Sequence, residues 1–257
     1  MKKKIGNILL KLIPLILFLG LWEFLIPQER VFFFSKPSLI SKALFENLKN
    51  GILVSDFFVT GSETIIGFCF GSLLGLILGF GFWYSKRVGD VAKPYVIAIG
   101  AIPIFAIAPM TIIWFGTGFF AKVIMATLST FIVALVQSFE GAQNVDKDQI
   151  TLLKTFGANR WIVFTKVIIP SSAIWVLSSL KLNIGFALLG AFIGEFISAE
   201  SGLGYRILKA SGLYDTSLVL AGIFLMVCLA LILNFGVSLI EKRIKFYKYW
   251  SFLTCWI

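Results

Sequence analysis

Residues Glu63–Trp83 read ETIIGFCFGSLLGLILGFGFW, a run of 21 residues whose single charge stands at its first position. A hydrocarbon core of about 30 Å takes roughly 20 helical residues to cross. Inside lipid the backbone must satisfy its own polar groups, so a run of this kind is helical. Gly67, Gly71, Gly75 and Gly79 recur every fourth residue within it. Residues four apart share one face of a helix, and these four leave a smooth stripe. Lipid supplies no apolar drive for helices to associate, so a small-residue stripe marks a close helix–helix approach. Because the glycines lie inside an apolar helix, they do not form a phosphate-cradling loop.

Working outward, comparable runs cover 8–26, 91–115, 120–139, 174–197 and 218–240, which gives about six spans. Apolar residues make up 58% of the 257 and charged residues only 14%, well outside the range of soluble domains. Alternating ten-residue strands are absent, which argues against a transmembrane β-barrel. The fold class is therefore all-α: one polytopic transmembrane bundle, a single domain over 1–257. Met1-Lys2-Lys3-Lys4 before an apolar run resembles a signal peptide. The run is too long for one and no small-x-small cleavage site follows, so it reads as a retained first span.

The formal charge is +10. With both termini inside, sixteen of the 23 Lys and Arg fall in inner segments and seven in outer ones. That bias orients the chain N-in and C-in and explains the basic composition without nucleic acid. Lys245, Lys248 and Trp250 then follow the last span, where they suit an anionic inner leaflet. The chain has no histidine, which removes imidazole acid–base chemistry and Ser-His-Asp triads. Cys69, Cys228 and Cys255 are far apart and read as small apolar filler, with no metal site. No Gly-x4-Gly-Lys-Ser/Thr stretch occurs, so the chain carries no phosphate cradle for ATP and no cofactor is expected in it.

Between the first two spans, Leu39, Ile40, Ala43, Leu44, Leu48 and Ile52 recur at helical spacing. They predict an amphipathic helix at the outer interface, capped by Ser38 after Pro37 and ended by Gly51. Charges in spans cost about 2.5–3.5 kcal/mol at mid-bilayer and need a reason. Glu23 and Glu63 stand near span ends and can reach water. Lys181 and Asn183 in the inner part of the fifth span, and Glu195 near its outer end, are candidates for a pathway or gate, or for buried structural pairs.

The longest polar interior stretch is 141–170. A first short helix fits Asp148–Phe156, with Leu152, Leu153 and Phe156 on one face. Gly157 can take the left-handed conformation that stops it. Asn159 can cap a second helix carrying Trp161, Phe164 and Ile168, and Pro170 redirects the chain into the fifth span. Such a loop fits either a docking element for a cytoplasmic protein or a helix pair lying on the membrane.

This stretch resembles the cytoplasmic coupling loop of ABC-importer permeases, whose pattern is Glu-Ala-Ala, three residues, Gly, nine residues, Ile-x-Leu-Pro. Gly157 matches the family glycine, and Val167, Ile169 and Pro170 match the closing motif conservatively. Gly157-Ala158-Asn159-Arg160-Trp161 resembles the family's Gly-Ala-Ser-Arg-Trp. Thr151-Leu152-Leu153 stands where the family has Glu-Ala-Ala, with Asp148 one turn earlier. The resemblance runs from Leu21-Trp22-Glu23 through Ile102-Pro103, Ala108-Pro109, Trp114-Phe115-Gly116, Gly194-Glu195-Phe196 and Ser201-Gly202-Leu203-Gly204-Tyr205 to Glu241-Lys242-Arg243. Together these look like the nitrate, sulfonate and taurine branch. The resemblance implies a type I, MetI-like permease fold in a bacterial plasma membrane. It implies a dimer, a separate ATPase subunit that binds ATP and docks on the coupling loop, and an external binding protein that delivers a small solute. A secondary transporter or channel is the alternative, since Pro103, Pro109, Gly116 and Gly118 allow broken helices.

Overall fold

The computed structural model describes the backbone of residues 2–198 and 200–254. The side chains of 1–12, 86, 174, 198–199, 240 and 244–257 fall outside the described set, and with them Lys245, Lys248, Trp250 and Cys255. The helices run in the order α1 Lys2–Leu25, α2 Val31–Phe34, α3 Pro37–Lys49, α4 Ile52–Tyr84, α5 Lys86–Gly100 and α6 Ile104–Phe115. They continue with α7 Phe119–Gln143, α8 Lys147–Thr155, α9 Arg160–Val163, α10 Ile169–Ser198, α11 Leu203–Gly212 and α12 Thr216–Thr254.

Among the described residues four helices are long and apolar enough to cross a membrane, and α5 with α6 makes a fifth if the pair is one span. The sequence gives six. The remaining span, 8–26, falls on α1, whose described apolar part is the short stretch Ile13–Leu25. The expected third span is not one straight helix: α5 and α6 meet at 91°. Pro103 is the cause. It has no N–H to donate and bars the residue before it from the helical region, so α5 closes on Ala101 and Ile102 and α6 starts afresh after Pro103.

Three helices form the centre, with α7 lying between α4 and α10. The glycine stripe of α4 faces α7. A Cβ built at Gly75 would stand 2.6 Å from the Ala134 Cβ, and those at Gly67, Gly71 and Gly79 would run into Ala126, Thr130 and Ser138. The partners on α7 are small and also four apart, so two small-residue stripes interlock. Thr130 and Ser138 donate their hydroxyls across the contact to the carbonyls of Gly67 and Gly75, at 3.1 and 3.2 Å. Gly190 of α10 meets α7 in the same way at Met125, Ala126 and Ser129.

Two expected boundaries move. α4 starts at Ile52, eleven residues before Glu63, because Gly51 turns the chain with φ 74°. The cap of α3 is not Ser38. Lys36 occupies the cap position, Pro37 opens the helix, and the Ser38 N–H and hydroxyl donate to the Glu23 carboxylate of α1 at 3.0 and 2.7 Å. Glu23 therefore supplies the acceptor that a cap side chain would have given.

Candidate functional site

Two polar constellations stand at opposite ends of the bundle. One is the loop between α7 and α10. Asp146 accepts the N–H of Asp148 at 2.9 Å and starts α8. Gly157, with φ 80°, ends it: its N–H reaches the Lys154 carbonyl at 2.9 Å and the Ala158 N–H reaches the Leu153 carbonyl at 3.0 Å. That pair of bonds is the Schellman arrangement. Asn159 then accepts the N–H of Ile162 at 2.9 Å and starts α9.

Leu153 does not share a face with Leu152 and Phe156, as the sequence suggested. It packs inward beside Ile150, Ala158 and Phe164 on a buried cluster of Ala142, Val145, Val163, Val167 and Ile168. Leu152, Phe156 and Trp161 point away, with exposures of 59%, 78% and 60%. Phe164 stacks on Trp83 at 5.8 Å and lies 5.6 Å from Tyr84, fixing the loop to the end of α4. Pro170 does not break the chain. A π-helical turn at Phe164–Ile168 precedes it, and the helix continues as α10. The wider turn takes up the mismatch that the proline ring imposes.

The second constellation lies about 30 Å away along α4, taking 1.5 Å for each residue from Glu63 to Tyr84. Lys122 of α7 pairs with Glu63 of α4 at 3.6 Å, both side chains fully buried, and neither Glu63 oxygen has a hydrogen bond. Beside them Glu195 of α10 accepts the Thr60 hydroxyl and the Gly204 N–H, each at 2.6 Å. The Leu203 N–H donates to the Thr60 hydroxyl at 2.8 Å. Asp56 accepts the Gly202 N–H at 3.0 Å and the Arg206 Nε at 2.7 Å. Gly202, with φ 107°, leaves room for Glu195, whose carboxylate occupies the space a Cβ would need. The segment between α10 and α11 is thus clamped onto the first turns of α4.

The model for the family described as the inner membrane component of binding-protein-dependent transport systems matches residues 71–246. The chain belongs to this family. A probable ABC transporter permease protein of Haemophilus influenzae is 28% identical, over 82% of this chain and 86% of that one. The riboflavin transport system permease protein RibX of Chloroflexus aurantiacus is also 28% identical, over 82% and 79%. Other relatives are named for formylaminopyrimidine, aliphatic sulfonates and taurine. A chain of the inward-facing MetNI methionine ABC transporter shares the fold, with a TM-score of 0.66 at 17% identity, over 76% of this chain and 97% of that one. The protein is the permease subunit of an ABC importer, and ATP hydrolysis resides in a separate subunit. That sets aside the secondary-transporter alternative.

In this permease Lys181, Asn183 and Glu195 do not gather at one place. Lys181 pairs with Glu241 of α12 at 2.5 Å. The Asn183 amide donates to the Ser72 hydroxyl of α4 at 3.1 Å, and its carbonyl oxygen has no partner. Glu195 belongs to the clamp. Sequence reasoning missed Asp56, Thr60, Lys122 and Arg206. Lys122 carries the one visible signal, an ammonium within the first residues of the apolar run 120–139.

Proposed function

We propose that two copies of this permease enclose a pathway for a small solute in a bacterial plasma membrane, with both termini cytoplasmic. An external binding protein delivers the solute on the side of the Glu63–Glu195 clamp. An ATPase subunit, which binds the ATP, docks on the coupling loop. The exposed face of that loop carries this reading. Leu152, Phe156 and Trp161 are held out on two capped helices, while Leu153 and Phe164 anchor the pair to the bundle. Exposed aromatic anchors on a rigid base are what a protein partner reads. With Thr151 in place of the usual acidic residue, apolar contacts dominate the docking.

A cavity of about 690 Å³ lies between α5, α7 and α10, with Lys93, Gln137, Glu140 and Gln143 among apolar walls that include Val96, Leu182 and Phe186. It is the pathway candidate, of a size suited to a small organic molecule. The relatives' names bracket that solute between heterocycles such as riboflavin and formylaminopyrimidine and small sulfonates such as taurine. The test is Phe156→Asp in the assembled transporter. A charge in the docking face should abolish copurification of the ATPase and uptake while leaving the permease in the membrane at normal abundance. Full ATPase binding by this variant would remove the coupling role of the loop.

A further inference from the structure

A second cavity, of about 480 Å³, opens at the coupling-loop end of the bundle. Four cations line it, Lys93 from α5, Lys147 and Lys154 from α8 and Arg160 from α9, against one carboxylate, Asp90. The ion pairs among the described residues, Lys122–Glu63, Lys181–Glu241 and Arg206–Asp56, lie elsewhere. Its floor is aromatic and includes Phe82, Trp83 and Phe139. Lys93, Phe139 and Gln143 also line the larger apolar cavity, so the cationic pocket adjoins it.

We propose that this pocket binds a phosphate-bearing anion, with its negative group among Lys93, Lys147, Lys154 and Arg160. The occupant that fits best is an anionic phospholipid whose acyl chains follow the aromatic floor. Charge alone does not require a site, because cytoplasmic loops collect lysines for topological reasons. What sets these four apart is convergence: three separate helices direct them to one concave pocket at the level of Trp83 and Tyr84, where aromatic side chains mark the membrane interface. Basic pockets between helices on the cytoplasmic side are suited to anionic headgroups. Arg160 is also pre-positioned over the Tyr84 ring at 5.5 Å, which leaves its planar donors free to bind phosphate oxygens. A headgroup here would bridge α5 to the coupling helices. It would tie the docking loop to the helix that bends at Pro103, so occupancy would alter how ATPase movement reaches the bundle.

The experiment uses the full permease in detergent with added phosphatidylglycerol or phosphatidylcholine, and native mass spectrometry to count retained lipid. Inorganic phosphate, followed by calorimetry, is the free-anion arm. Retention of phosphatidylglycerol over phosphatidylcholine is expected. Lys93→Gln, Lys147→Gln and Lys154→Gln should each weaken it roughly fivefold, the effect of about one basic side chain at an anionic surface. The triple arginine variant, which keeps the charge, should retain it and so separates loss of binding from loss of fold. Phosphate binding that the same glutamines remove would assign the pocket to free phosphate instead of a lipid and still support it. Equal retention of both lipids with no phosphate binding would overturn the proposal. So would undiminished phosphatidylglycerol retention in the triple glutamine variant, or its loss in the triple arginine variant. None of these readings depends on transport, so they stand apart from a failure of the importer assignment.

Discussion

Gly71 and Thr130 meet where α4 lies along α7, and a Cβ at Gly71 would collide with the Thr130 hydroxyl and with the Thr127 carbonyl. Backbone atoms line that collision, so the contact cannot relax by a rotamer change. Gly71→Leu should lower stability by about 1–3 kcal/mol or more, the range for overpacked interiors, read as an earlier unfolding transition in detergent. An unchanged transition would mean that the two helices do not touch there. Lys122 is a second test at this scale. Its ammonium is the cation opposite Glu63, whose oxygens have no hydrogen bond. Removing one member of a buried pair costs about 3–5 kcal/mol, because the other charge is left uncompensated. Lys122→Met should therefore be strongly destabilising, and Glu63→Gln added to it should restore most of the loss. Additive losses in the double variant would show that the two side chains act separately. The glycines could be read in sequence because their spacing is local. Lys122 could not, because its partner stands 59 positions earlier in the chain and meets it only once α4 and α7 are packed.

The coupling loop depends on two short helices holding a fixed angle, and Gly157 sets that angle. Its φ of 80° is a conformation that β-branched residues tolerate poorly. No side chain crowds the position, so backbone strain alone acts there. Gly157→Val should swing Trp161 away from Leu152 and Phe156 while the transmembrane helices still insert. The measurement is ATPase copurification at matched membrane abundance, with a loss expected. Thr151→Glu on the same helix should leave assembly intact or improve it, since Thr151 is exposed and its hydroxyl donates to the Lys147 carbonyl, one turn back, at 2.8 Å. Failure of assembly in that variant would mean that an acidic group is excluded from the interface. The stop at Gly157 and the cap at Asn159 were legible in the sequence because both act within four residues of themselves, whereas the Asp146 cap emerged only from the structure. Which of Leu152 and Leu153 turns inward was not legible, since the surface built by Phe80 and Trp83 of α4 and Ala142 of α7 decides it. Pro170 misled for a related reason: a proline signals a break only where the preceding turn cannot widen, and here a π-helical turn does so.

The whole molecule is polarised along α4, with the aromatic coupling end at Tyr84 and the charge clamp at Asp56–Glu63. Hydropathy located the helices because crossing lipid fixes length and composition together. It could not show that the third span bends by 91°, since both halves are equally apolar. Nor did it show that α4 extends outward to carry the clamp, since Asp56 and Thr60 break the hydropathy pattern there. Orientation follows from charge. The coupling end gathers Arg87, Lys93, Lys147, Lys154, Arg160 and Lys166, and the inner segments hold sixteen Lys and Arg against seven in the outer ones. Lys and Arg in short loops near span ends resist translocation, so the side richer in them stays inside. The clamp end should therefore face outward and the coupling end inward. Reporter fusions test this directly: one at Asn47, on α3, which Gly51 joins to the clamp end of α4, and one at Lys248, beyond the last expected span. The Asn47 fusion should be active only in a reporter that works outside, and the Lys248 fusion only in one that works inside. Activity on the same side would require an even number of crossings between Asn47 and Lys248, in place of the five expected. Activity on the two sides in reverse would place the ATPase loop where no ATP exists.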